Sequence, residues 1–73
     1  MNEFFSVWDA AKDVFELSRK VYIDLERGLI KIWQDNTQII KVEVDFEDDI
    51  DTEHLYHLAA ERLISWIKQR EKQ

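Results

Sequence analysis

The chain predicts a small α+β domain, α-β-β-β-α, in which a three-stranded antiparallel meander packs against two helices. Two observations carry that expectation. Apolar residues recur at helical spacing at both ends of the chain and alternate in the middle. In addition, one glycine and no proline in 73 residues leave no linker and no sign of a domain boundary, so residues 1–73 are expected to form a single domain.

The first helix is expected from Glu3 to about Lys20, with Asn2 as its N-cap. Phe4, Val7, Trp8, Ala11, Val14, Phe15 and Ser18 form one stripe along it, and Asp9, Lys12, Asp13 and Glu16 lie opposite. Lys12 with Glu16, and Glu16 with Lys20, sit at the spacing that supports an exposed helix face.

The period then changes to two. Val21, Ile23 and Leu25 alternate with Tyr22, Asp24 and Glu26, and Ile30 and Ile32 continue the pattern after Arg27 and Gly28. A two-residue Arg27-Gly28 turn sets Leu25 opposite Ile30, Ile23 opposite Ile32, Asp24 opposite Lys31 and Tyr22 beside Trp33. Asp35-Asn36-Thr37 is read as the second turn, with Asn36 able to turn left-handed. It leads into Ile40, Val42, Val44 and Phe46, alternating with Ile39, Lys41, Glu43 and Asp45, and places Ile40 opposite Ile32. On this register Tyr22, Trp33 and Ile39 share the sheet face opposite the aliphatic one. If both helices cover the aliphatic face, that trio is a contact surface.

The last helix begins at Asp51 or Thr52, either of which can cap it. Leu55, Tyr56, Ala59, Ala60, Leu63, Ile64, Trp66 and Ile67 cover about half its circumference, more than the ~100° one contact needs. Either the helix touches both the sheet and the first helix, or one flank mates with a second subunit. Residues 68–73 read as a solvated end with basic charge at the negative pole of the helix. Phe5 and Leu58 fall off their stripes and are candidate interface residues.

Charge supplies the first functional clue. Sixteen acidic residues against ten basic ones give a net charge of −6, which argues against direct nucleic-acid binding. Seven of the acids, Glu43, Asp45, Glu47, Asp48, Asp49, Asp51 and Glu53, fall within eleven residues that contain no base. This run either docks on a basic protein surface, imitating nucleic-acid phosphates, or is a solvated strand-to-helix connection that guards a sheet edge. A calcium loop is disfavoured, because Ile50 stands where such a loop needs glycine and Tyr56 where it needs a bidentate glutamate.

His54 and His57, three apart, can share a helix face with Glu53 or Glu61, but without a zinc-protease spacing or cysteines they read as exposed polar residues. No metal or cofactor is expected. No nucleophile elbow, phosphate loop or Cys–His pair occurs, and Ser6, Ser18 and Ser65 have no evident base, so catalysis is not expected.

With no cysteine, the chain suits a reducing compartment. Met1-Asn2-Glu3-Phe4-Phe5 resembles neither a secretory leader nor a membrane anchor, so the expected location is the cytoplasm. The expected function is that of a protein-binding inhibitor or regulator that engages a basic, nucleic-acid-binding surface through Glu43 to Glu53, with Tyr22 and Trp33 as further contacts. Phage and mobile-element accessory proteins that block host machinery are often of this size and charge, an association and not a motif. Two alternatives stand beside it. One is a homo-oligomer, in the simplest case a homodimer, mating through the last helix or the edge strand Ile39 to Phe46; the other is an antitoxin-like neutraliser of a basic protein.

Overall fold

The computed structural model describes residues 3–44 and 52–71. The element order is α1 (Glu3–Val14), β1 (Leu17–Asp24), β2 (Leu29–Gln34), β3 (Thr37–Glu43) and α2 (Thr52–Glu71). The strands pair antiparallel in the order β1-β2-β3. The α+β meander is therefore present as the patterning predicts.

The first helix is shorter than its periodicity suggests. It ends at Val14 because Glu16 takes a left-handed conformation, φ 55°, which turns the chain directly into β1. A non-glycine residue pays sterically for that conformation, so no local signal announced the stop. Two contacts hold the corner: the Phe15 N–H donates to the Ala11 carbonyl at 2.9 Å, and the Gln34 side-chain amide donates to the Phe15 carbonyl at 2.7 Å. Several expectations fall with the lost turn. Val14 leaves the stripe and is 73% exposed, and Ser18 belongs to β1. Glu16 cannot pair with Lys12 across a helix face; Lys12 instead pairs with Asp9 and lies over the Trp8 ring, 5.1 Å from its centroid.

The first hairpin differs by two residues from the expected register. Val21 faces Ile32, Tyr22 faces Lys31, Ile23 faces Ile30 and Asp24 faces Leu29, so Leu25 to Gly28 form a four-residue loop. Asp24 accepts a hydrogen bond from the Arg27 N–H at 3.1 Å and thereby shapes that loop instead of pairing with Lys31. Gly28, at φ 64°, supplies the left-handed residue, and its carbonyl accepts from the Val44 N–H at 2.8 Å. Because side chains alternate with a period of two, a two-residue slip leaves the residues that stay in the strands on their expected faces, but Leu25, expected opposite Ile30, passes into the loop and is exposed.

The second turn is tighter than expected. Gln34 pairs with Thr37, which leaves Asp35 and Asn36 as the loop, and Asp35 rather than Asn36 is left-handed at φ 55°. Ile32 does face Ile40, but the register slips between Ile32 and Trp33, so Ile39 is an extra residue in β3. Ile39 packs half-buried against the core, which removes it from the trio with Tyr22 and Trp33.

Both helices lie on the aliphatic side of the sheet and against each other: α2 crosses β3 and β2, and α1 lies over β1. Phe4, Ile30, Ile32, Leu55 and Leu63 are the largest fully buried side chains. The helices run side by side in the same direction, since Phe4 meets Tyr56 (ring centroids 6.0 Å apart) and Phe15 meets Trp66 (5.4 Å, edge to face). The wide apolar arc of α2 is thereby accounted for: Leu55, Ala59, Ala60 and Leu63 enter the core, Tyr56 meets Phe4 of α1, and Trp66 meets Phe15 at the corner after it.

Candidate functional site

With α1 and α2 on one side, neither covers the other face of the sheet, on which Leu29 is nonetheless buried. Residues paired across antiparallel strands share a face, so the register sorts its side chains into rows. One row runs Asp24, Leu29, Glu43, and the next Tyr22, Lys31, Lys41. Trp33 and Gln38 form a third, beside which alternation from Val21 places Lys20. The face is acidic at the Gly28 end and basic and aromatic toward the other.

Within it, Tyr22 is 42% exposed and Trp33 is half-buried. The Lys31 ammonium lies 5.6 Å from the Tyr22 ring centroid, and the Tyr22 hydroxyl donates to Asp24 at 3.4 Å. Lys41 stands 3.7 Å from Glu43, a contact between exposed side chains of little energetic weight. Tyr22 and Trp33 do occupy one face, though in adjacent rows and not side by side. Lys31 and Lys41 also belong to this surface; the expected register already set Lys31 on this face, but opposite Asp24 and not opposite Tyr22.

The acidic run is described at its ends. Glu43 is exposed on the edge strand β3, and Glu53 is exposed in the first turn of α2, where a carboxylate complements the helix dipole. Asp45, Glu47, Asp48, Asp49 and Asp51 lie outside the described residues, as do the Asn2 and Asp51 caps and Phe46. Thr52 begins α2.

His57 lies between two carboxylates, with Nδ1 3.4 Å from Glu3 and Nε2 3.1 Å from Glu61, and so links the starts of the two helices. Glu61 thus neighbours it as its spacing implied. Among the described residues no three ligating side chains gather to hold a metal ion.

The remaining interface candidates are partly engaged. Phe5 is 38% exposed but stacks with Phe4 and Tyr56 at 5.2 and 5.7 Å, while Leu58 packs half-buried against the core. A shallow apolar groove runs between the helices, lined by Val7, Ala10, Val14, Phe15 and Ile67. Among the described residues no helix is long and apolar enough to cross a membrane. Comparison with protein-family models, curated proteins and solved structures finds no match to this chain.

Proposed function

We propose that this chain is a small acidic protein-binding regulator, acting in the cytoplasm as an inhibitor of a partner that presents a basic, nucleic-acid-binding surface. The observation that supports it is the sheet face left without a helix: Tyr22 and Trp33 stand there as anchors, and the acidic run starts from the same sheet at Glu43. Aromatic anchors supply contact area at low entropic cost, whereas a run of carboxylates steers a basic surface into register. The two features divide the work between holding and steering.

The test is kinetic. Association with the partner should slow steeply as ionic strength rises, and Asp48→Lys with Asp49→Lys should slow it further, because steering acts mainly on the on-rate. Trp33→Ala should instead speed dissociation. A complex indifferent to salt and to charge reversal would overturn the proposal.

A further inference from the structure

We infer that the sheet face without a helix docks on a second copy of this chain. Charge is distributed unevenly along the strands of this face. At the Gly28 end the face carries Asp24 and Glu43; one row further it carries Lys31 and Lys41, with Lys20 and Trp33 beyond. A two-fold axis lying between two such faces, perpendicular to the strands, reverses strand direction. It lays the acidic end of each copy over the lysines of the other, so the complementary contact is made twice. Tyr22 stands in the row of the two lysines and Trp33 in the row beyond, so both aromatics lie on the contacting face and supply its apolar area.

One further observation favours this occupant. Lys31 and Lys41 are directly opposed across β2 and β3, each with a weak contact of its own, Lys31 over the Tyr22 ring and Lys41 beside Glu43, and carboxylates from a facing copy add to those contacts. The inter-helix groove has no comparable argument, since nothing around Val14 and Ile67 is complementary to itself. The inference goes beyond the regulator reading and shares Tyr22, Trp33 and Glu43 with it, so a second copy competes with any other partner for this face; it uses none of the residues from Asp45 to Asp51, and self-association in the purified chain is read without that partner.

Sedimentation equilibrium of the full chain tests it without any other partner. At low salt a dimer is expected at high micromolar concentration, and association should weaken about tenfold in half-molar sodium chloride. Lys31→Glu with Lys41→Glu should be monomeric with an unchanged far-ultraviolet spectrum. Mixing it with Asp24→Asn combined with Glu43→Lys should restore a dimer, because the lysine introduced at position 43 then meets the introduced glutamates, no carboxylate faces them, and the unchanged acids of the first variant meet the lysines of the second. Should the double reversal fail to fold, Lys31→Gln with Lys41→Gln should still weaken the dimer about tenfold through loss of the ion pairs. Val14→Ser, on the helix side, should change nothing. A wild-type monomer at millimolar concentration and low salt would overturn the inference, as would a dimer lost with Val14→Ser and kept with the lysine variants.

Discussion

Lys31 and Lys41 face each other directly across β2 and β3, on the one side of the sheet that neither helix covers. In an acidic chain with ten basic residues, two ammonium groups set in register on that face are a local reversal of the overall charge.

The pair leads to a first prediction. Lys41→Gln should leave stability within about 0.5 kcal/mol of wild type, since it removes the like-charge contact with Lys31 together with the weak pair to Glu43. The same substitution should weaken self-association. Urea denaturation and sedimentation on one sample check both, and a variant that is less stable and equally associated would contradict them.

A second prediction concerns the corner after α1. Glu16 holds φ 55° against its steric preference, so Glu16→Gly should be neutral to stabilising by about 1 kcal/mol, while Glu16→Val should destabilise by about 1–2 kcal/mol. Denaturant midpoints at constant slope would show it.

The corner also depends on Gln34. Gln34→Ala removes the donor to the Phe15 carbonyl in a half-buried setting and should cost about 1–2 kcal/mol. Gln34→Glu should cost as much or more, because its carboxylate would face that carbonyl with no hydrogen to donate. Stability equal to wild type in both variants would mean that the bond contributes nothing.

A fourth prediction separates core from surface. Leu63 is fully buried beneath the sheet, and Leu63→Ala should cost about 2–5 kcal/mol, enough to unfold much of a domain this small. Trp33→Ala, half-buried on the other face, should leave the near-native far-ultraviolet spectrum and cost less than Leu63→Ala. Thermal unfolding by circular dichroism ranks the two.

Much of this architecture was legible in the sequence because hydrophobic period is a strong signal. Ile30, Ile32, Ile40 and Val42 alternate, and a pairing error of two residues in the first hairpin cannot move any of them off its face. What stayed hidden depended on single residues acting against their preference. Glu16 ends a helix without glycine or proline, so the stripe read through it as far as Ser18. Ile39 enters as a bulge, which no alternation reveals, and so seemed to belong with Trp33. The candidate surface was half visible for the same reason: Tyr22, Trp33 and Lys31 could be assigned to one face, but that Lys31 stands opposite Tyr22 depends on the four-residue loop that Asp24 shapes through the Arg27 N–H.

The measurement that bears most directly on the account is affinity capture from the native host with four forms of the chain, read by mass spectrometry: wild type, Trp33→Ala, Asp48→Lys with Asp49→Lys, and Val14→Ser. The account predicts that one basic protein is enriched by wild type and by Val14→Ser, and is lost or strongly depleted with the other two. Retention of that protein by both the tryptophan and the aspartate variants, or its loss with Val14→Ser alone, would contradict it.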